Sequence, residues 1–416
     1  MKILLISIGT RGDCEPFLGL SEMLRKRGEY VVCAFPEQYR CLAEESGVEF
    51  FSLGSEFLDL LNGEDAKTML AAKGLGQISA QIRTSTAAIE VQKRLTDLTR
   101  DCILEKSPDI VIHHAKCFYI IPWSIKSGKR AILFAFQPAS LHIVKGTPHI
   151  ALPRWFPVAL SYNIARAAFT QFAMMSVRRH FKDEITSKQV KDAIIGEPAM
   201  YGVSPSLFPQ PDYWTEAQRV VGFWERDKSS NYRPPKEVTD FIETHKKILF
   251  VTFGSMTNSD PAGKTALFLD VLSELKIPAI LNISGGGLAE PGNYDCTGFL
   301  FVKSIPYDWA YTRMYSVIHH GGAGTTHSAL KAGCASMAIP HSADQPLFNK
   351  LIADIGAGPL GIPISKLTRG ALKAKIGELW NNTQYKQKAE YIGRQMQNED
   401  FADAVYKFII DGTQKA

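Results

Sequence analysis

His319-His320-Gly321-Gly322-Ala323-Gly324-Thr325-Thr326 is the stretch on which the fold turns. Ahead of it, Val317 and Ile318 are apolar and β-branched, the composition of a buried strand. Behind it the sequence reads as a short helix, expected from Thr325 to Ala332 and stopped by Gly333. A glycine turn between a buried strand and a helix leaves the first helical amides without carbonyl partners, and the helix dipole puts partial positive charge at the same place. Those amides, the hydroxyls of Thr325 and Thr326 and the imidazole of His320 together suit a diphosphate, which glycines let the backbone approach closely. Glycines alone also fit an ordinary strand-turn-helix link. The paired histidines, the two threonines and the later Asp344-Gln345, suited to sugar hydroxyls, set this segment apart. Charge bound at a helix start needs no metal ion.

On both sides of this turn, apolar runs rich in β-branched residues alternate with helix-period segments. Ile3 to Ile8, Tyr30 to Phe35, Val48 to Phe51, Ile110 to His113 and Ala131 to Phe136 form one series. Ile248 to Phe253, Ala279 to Ile283, Phe299 to Lys303, Val317 to His319 and Ser336 to Ile339 form another. Continuous apolar strands separated by helices predict parallel sheets, hence an α/β protein of two doubly wound domains. Glu225 to Lys236 is polar and ends in a Pro pair, as an exposed linker would. The expected domains are therefore 1–224 and 237–395, joined by 225–236. Within 396–416, Phe401, Val405, Phe408 and Ile409 fall on one helix face, which must cover apolar surface and is expected to cross back to the first domain.

With 416 residues, 45% hydrophobic and 21% charged, the chain fits a globular protein of about two domains. Its start, MKILLISIGTRGD, suits neither a signal sequence nor a membrane span, so a cytoplasmic location is expected. The seven cysteines are scattered and lack any CxxC spacing, which argues against a disulfide frame or zinc site. Adjacent histidines point apart and no HExxH accompanies them, which argues against a metal enzyme. A net charge of +5 without a long basic run excludes a nucleic-acid footprint, yet favours an anionic donor or membrane surface.

In the first domain, Gly9-Thr10-Arg11-Gly12-Asp13 follows the first strand directly, and Pro16 opens a helix that Gly28 ends. Asp13 thus stands at the carboxyl edge of the sheet, where open α/β sheets bind ligands. The full GxGxxG of a dinucleotide fold is absent, and an acidic side chain in the turn would oppose a pyrophosphate. Asp13 reads as a general base, with a helix-capping aspartate as the structural alternative. In the second domain, Phe253-Gly254-Ser255 and Ser284-Gly285-Gly286-Gly287 end strands at the same edge as His320, giving three phosphate-compatible loops. Trp155 to Phe181 is apolar and aromatic, including Phe156, Phe169, Phe172, Met174 and Met175, and ends in Arg178-Arg179-His180. It suits an acceptor pocket, a membrane contact or a core helix.

These segments resemble the nucleotide-sugar glycosyltransferases of the GT-B fold, in the UDP-glycosyltransferase superfamily, nearest the bacterial glycopeptide and macrolide tailoring enzymes and the sterol glucosyltransferases. The resemblance runs through Gly9 to Pro16, Tyr201-Gly-Val-Ser-Pro205, Val221-Gly-Phe-Trp224, Ser304-Ile-Pro-Tyr-Asp-Trp309, His319 to Thr326 and Ala343-Asp344-Gln345. It implies two Rossmann-like domains facing across a cleft, the first binding acceptor and the second the nucleotide-sugar donor. By resemblance, Ser255, His320, Gly322, Gly324 and Thr325 would hold the donor diphosphate, and Gly12 of the first turn would also meet the donor. Ser304 and Ile305 would lie against uracil or thymine, and Asp344 and Gln345 would bond the sugar. The tryptophan on which plant relatives stack the base is missing here. Asp13, where plant enzymes carry a catalytic histidine, and His320 would be catalytic; His113, His114, Trp155, Phe169 and Phe172 would face the acceptor.

The implied reaction is inverting, metal-independent transfer of a hexose, glucose from UDP-glucose foremost, to a hydroxyl of a hydrophobic small molecule such as a sterol, polyketide or phenol. No cofactor beyond the UDP-sugar co-substrate is expected, no nucleic-acid partner, and a peripheral membrane contact is allowed. A nucleotide-sugar epimerase or hydrolase on the same scaffold, and a non-catalytic lipid- or nucleotide-binding protein, remain the alternatives. The choice of UDP or dTDP, the sugar, the acceptor and the oligomeric state stay open at the level of sequence.

Overall fold

A computed structural model describes residues 1–416 except 63–74, 183, 227–231, 294, 296, 342–343 and 412–416; the side chains of 61–62 and 75–86 are likewise not described. Seven strands, β1 (Lys2–Ile6), β2 (Tyr30–Phe35), β3 (Glu49–Ser52), β4 (Ile110–His113), β5 (Arg130–Ala135), β6 (Ala199–Tyr201) and β7 (Gln218–Val220), form the first sheet, ordered β3-β2-β1-β4-β5-β6-β7 with every pair parallel. The second sheet, ordered β10-β9-β8-β11-β12, is again parallel throughout and uses β8 (Leu249–Thr252), β9 (Ala279–Asn282), β10 (Phe299–Val302), β11 (Ser316–His319) and β12 (Ala335–Ala338). β4, β8, β11 and β12 are buried along their whole length. That is why they read as unbroken apolar runs rather than alternating ones. β6 and β7 have three residues each, too few to show a period, and the sequence reading missed them.

Each sheet reverses its strand order once, between β1 and β4 in the first and between β8 and β11 in the second. At such a reversal the two flanking crossovers leave on opposite faces and open a crevice at the carboxyl ends of the strands. The chemistry-bearing turns sit at these points: Gly9 to Asp13 follows β1, His113-His114 ends β4, Phe253 to Ser255 follows β8, and His319 to Thr326 follows β11.

Two compact units result. One holds Met1–Val203, Gln210–Arg226 and Asp400–Ala416; the other holds Ser204–Pro209 and Asp227–Glu399. In the first, Phe17 of the helix Arg11–Lys26 meets Phe35, Phe134 and Phe136 edge-on at 6.2, 5.1 and 5.6 Å, pinning that helix to β2 and β5. Glu225 and Arg226 differ from the exposed linker expected of them. A Cβ on Gly19 would come within 2.9 Å of the Glu225 backbone, and Arg226 Nε donates to Glu15 Oε2 at 2.9 Å with both side chains largely buried. Residues 227–231 of that segment lie outside the described ones.

The C-terminal helix Ala402–Ile410 packs within the first unit: Val405 and Ile409 are buried, Tyr406 donates to Glu29 at 2.7 Å, and Arg130 donates to the Phe408 carbonyl at 2.7 Å. Gly222, at φ +73°, leaves the space that the Phe401 ring occupies; a Cβ there would lie 2.5 Å from the ring. The helix before it, Thr383–Gln397, belongs to the second unit. Its Gly393 sits so close to the helix Ala323–Lys331 that a Cβ would meet the Leu330 carbonyl at 2.7 Å. The switch between units therefore comes at residue 400, beyond the expected 396. Among the described residues no helix is long and apolar enough to cross a membrane.

Candidate active site

In the second unit, His320 to Gly322 carry the chain from β11 into the helix Ala323–Lys331. Gly321 has φ +91°, and a Cβ on it would lie 3.0 Å from the Gln345 carbonyl, so the turn accepts only glycine without strain. The helix begins two residues earlier than the sequence suggested. Gly322 is its N-cap and the first ladder bond runs from Thr326 N to Gly322 O at 3.0 Å. The amides of residues 323 to 325 stand ahead of the ladder, at the positive end of the dipole. Thr326 is fully buried and its hydroxyl donates back to Gly322 O at 2.9 Å, so it serves the turn. Thr325 occupies the first turn.

The His320 ring is wedged between two glycine backbones. A Cβ on Gly322 would lie 2.3 Å from Nε2, and one on Gly254, at φ +58°, would lie 2.8 Å from Cε1. Its Nδ1 is buried without a hydrogen-bond partner, a cost that an incoming acceptor or donor would remove. Burial, then the nearby His341, pushes the His320 pKa down to about 3, and burial with His320 does the same for His319. Both rings are neutral at pH 7 in the ligand-free protein. In the ligand-free protein the turn therefore offers N–H dipoles rather than an imidazolium.

The loop after β8 brings Ser255 beside this turn, and the glycine triplet after β9 supports that loop. A Cβ on Gly285 would lie 1.7 Å from Gly254 O, one on Gly287 2.6 Å from Met256 O, and Asn258 Nδ2 donates to Gly287 O at 2.6 Å. Gly285 and Gly287 thus serve backbone-on-backbone packing, a role beyond the phosphate compatibility expected of that loop. Beneath them Tyr307, which the sequence reading passed over, has its hydroxyl 2.8 Å from Thr252 Oγ1 and accepts from Asn282 Nδ2 at 3.2 Å. His327 was also missed. Its Nδ1 donates to Ala323 O at 2.7 Å and its Nε2 accepts from Ser204 N at 3.1 Å, tying the helix Ala323–Lys331 to the Ser204–Pro209 segment of its own unit.

The remaining expected donor residues fall in different settings. Ser304 is exposed, whereas the Ile305 side chain is buried in the core with Val302, Phe250 and Tyr311. Asp344 is the N-cap of the helix Gln345–Asp354. The Gln345 amide is engaged within the protein: Oε1 accepts from His341 N at 2.6 Å and Nε2 lies 2.9 Å from Met256 Sδ. Gly12 is in the first unit, exposed in the first turn of the helix Arg11–Lys26, away from any close neighbour of its own.

In the first unit, Asp13 is the third residue of that helix. Its Oδ2 accepts from Thr10 N at 2.8 Å and Thr10 Oγ1 at 3.3 Å, and a Cβ on Gly9 would lie 2.1 Å from the same oxygen. The carboxylate therefore does cap the helix, through Oδ2, while Oδ1 is turned toward His114 Nε2 at 3.7 Å, beyond hydrogen-bond distance. Burial holds the His114 pKa down to about 4, so it faces Asp13 as a neutral ring. Its neighbour His113 is different. His113 Nδ1 meets the His114 carbonyl at 3.1 Å and Nε2 meets Glu197 Oε1 at 2.5 Å, in a fully buried pair. Burial opposes the charged ring, but the Glu197 carboxylate and its hydrogen bond outweigh that and raise the His113 pKa above the usual value.

His113 and Glu197 form the polar wall of an apolar pocket otherwise lined by residues that include Phe118, Ile121, Leu133, Leu141 and Phe169. Phe118 stacks on Phe172 with centroids 4.9 Å apart. Trp155 takes no part in this pocket; it is 81% exposed and touches Phe156. Glu197 was not anticipated, because nothing near it in sequence marks it out. Among the described residues no cluster of three or more His, Cys, Asp or Glu is arranged to hold a metal ion.

The buried neutral histidines predict acid lability. His319 and His320 near 3 and His327 near 4 lie below the unfolded value of 6.5, so the unfolded chain takes up protons first as pH falls. Their contribution is complete above pH 6.5 and is lost below it, at about 2 kcal/mol per ring by pH 5. The raised pKa of His113 has the opposite sign and favours the fold below 6.5. Urea unfolding should show a lower midpoint at about pH 5 than at about pH 7.5; an equal or higher midpoint would mean these rings are not held neutral.

Two family models match the sequence: the glycosyltransferase family 28 N-terminal domain over residues 3–106, and the erythromycin biosynthesis protein CIII-like C-terminal domain over 297–410. Among curated relatives, a sterol 3-beta-glucosyltransferase of Arabidopsis thaliana, UGT80A2, is 27% identical over 434 residues, covering 98% of this chain and 65% of the relative. A sterol 3-beta-glucosyltransferase of Saccharomyces cerevisiae is 25% identical, covering 96% of this chain and 34% of the relative. The chain thus spans just under two thirds of the plant relative and about a third of the fungal one. Solved structures share the fold. The glycotransferase of kitacinnamycin superposes with a TM-score of 0.69 at 17% identity, covering 98% and 99% of the two chains. SsfS6 of Streptomyces sp. SF2575, complexed with thymidine diphosphate, gives 0.62 at 16%, covering 98% of each.

Proposed function

We propose, from the premise that the chain belongs to the GT-B-fold glycosyltransferase superfamily, that it transfers a hexose from a nucleoside diphosphate sugar to a hydroxyl of a hydrophobic small molecule, with inversion and without a metal ion. UDP-glucose and a sterol are the first choices of donor and acceptor. The observation that carries this reading is the second-unit cradle: three amides ahead of a helical ladder, beside a buried His320 whose Nδ1 lacks a partner. Such a place recognises a diphosphate and steadies its charge as it departs.

The acceptor is assigned to the first unit. Its cavity has apolar walls and one polar end, a chemistry suited to a body with few hydroxyls, and at about 20 Å³ it must widen to admit one. In the proposed step Asp13 Oδ1 takes the hydroxyl proton while the acceptor oxygen bonds to the anomeric carbon. The bond from that carbon to the phosphate oxygen breaks, and its electron pair leaves with the nucleoside diphosphate. One displacement inverts the centre. Oδ2 is held by Thr10, which fixes the rotamer that presents Oδ1. Since the Ile305 side chain is in the core, the base would meet main chain there and the exposed Ser304. The sterol choice rests on the named activities of the curated relatives; thymidine diphosphate in a solved neighbour keeps dTDP as the second nucleotide to test.

The deciding experiment is release of nucleoside diphosphate from UDP-glucose and dTDP-glucose across a panel of sterols, polyketides and phenols. Release that depends on a sterol, with a glycosylated product, supports the proposal. Release without any acceptor would make the protein a hydrolase, and binding without turnover on every acceptor would make it a binding protein.

A further inference from the structure

The helix Val158–His180 is largely apolar on its exposed side as well as on its buried one. The residues it buries include Ser161, Tyr162, Thr170 and Ser176, with hydroxyls bonded inward: Ser161 Oγ accepts from His149 N at 2.9 Å, and Tyr162 OH accepts from Val144 N at 3.1 Å. Toward solvent it presents Leu160 at 49% exposure, Ile164 at 45% and Phe172 at 38%, with Ala159, Ala167 and Ala168 and the uncharged amides Asn163 and Gln171 exposed among them. A surface helix ordinarily shows the reverse pattern, with charge on its outer face. From Val158 to Val177 the sole charged residue is Arg166, and its guanidinium is turned inward onto the Leu141 carbonyl at 3.1 Å. Charge returns only at the ends, in exposed Arg154 and Arg178; Arg179 is neutralised by Asp97. Trp155 stands beside Arg154, the most exposed large apolar side chain of the chain's described residues.

An uncharged, largely apolar face framed by an exposed indole and arginines matches a bilayer boundary, where tryptophan sits at headgroup level and arginine meets anionic lipid. We infer that the outer face of Val158–His180 docks on an anionic membrane surface, peripherally, with the helix lying in the plane of the headgroups. The same helix supplies Phe169 and Ala173 to the acceptor pocket from its inner side, and Phe118 of that pocket stacks on Phe172. One helix thus separates the bilayer from the pocket. In so far as the acceptor is a lipid, which rests on the function proposed above, it passes from membrane to pocket without crossing bulk water.

The test is co-sedimentation of the full chain with vesicles of phosphatidylcholine alone and with about a third phosphatidylserine, beside the double variant Leu160→Asp, Ile164→Asp. Both positions are about half exposed, and unchanged melting and unchanged UDP affinity would show the fold intact. The wild type should pellet with the anionic vesicles, and the variant should lose about tenfold or more in partitioning. Failure of the wild type to pellet, or equal partitioning of the variant, would overturn the inference. So would a wild-type dimer in sedimentation velocity that the variant converts to monomer, since a second copy would then cover the face. Vesicle binding needs neither donor nor turnover, so it stands even if every acceptor fails, and falls even if sterol transfer succeeds.

Discussion

Asp13→Asn should lower kcat by about 10² to 10⁴ while leaving affinity for UDP within error. Asparagine is the informative replacement because Asp13 has two tasks. Its Oδ2 holds Thr10 at the start of the helix Arg11–Lys26, and an amide oxygen can continue to accept from Thr10 N. What asparagine cannot do is take a proton at the second atom. The lost negative charge in the first helical turn costs roughly 0.3 to 1 kcal/mol of stability, small enough for the fold to survive. Asp13→Ala would remove the cap as well, at about 1 kcal/mol or more, and would confuse the two tasks. Turnover measured at saturating donor, with calorimetric titration of UDP, separates them. Near-normal turnover in the asparagine variant would remove Asp13 as the base, and loss of UDP affinity would make it a donor ligand.

His320→Ala should lower kcat/KM for the donor by about 10² to 10³, the cost of one preorganised hydrogen-bond donor at a developing charge. The orphan atom is Nδ1, which the amide nitrogen of asparagine can imitate, so His320→Asn should retain more activity than His320→Ala. The pH profile adds a sign. With burial holding His320 near 3, the free protein carries a neutral ring throughout the working range. Because kcat/KM reports free-enzyme ionisations, it should not fall through loss of a His320 proton as pH rises past 6.5. A decline centred there in the wild type and absent from His320→Asn would show that an imidazolium does the work.

The two parallel sheets were legible because their central strands are buried on both faces. A run such as Ile110 to Ile112 has no polar position to blur it. The signature turn was legible for a different reason: strained φ values and close approaches admit glycine alone, so Gly254 and Gly321 had to be written as glycine. What stayed hidden was tertiary. Glu197 meets His113 across 84 positions of sequence, and Ser204 meets His327 across 123, with no local pattern to announce either. The packing role of the glycine triplet after β9 was hidden for a related reason, since a glycine needed for backbone packing looks the same in sequence as one needed for phosphate. Arg226 looked like linker because it is polar, yet Glu15 holds it. The Gln345 amide links His341 to Met256 in the ligand-free chain, a partnership its place in the sequence does not announce.

The most direct measurement is the proton NMR spectrum of the product formed from UDP-α-glucose and a sterol with excess EDTA present. The account predicts a β-glucoside and UDP in equal amounts, at a rate the chelator does not change. An α-glucoside, free glucose in place of the glycoside, or a reaction stopped by EDTA and restored by a divalent cation would contradict it.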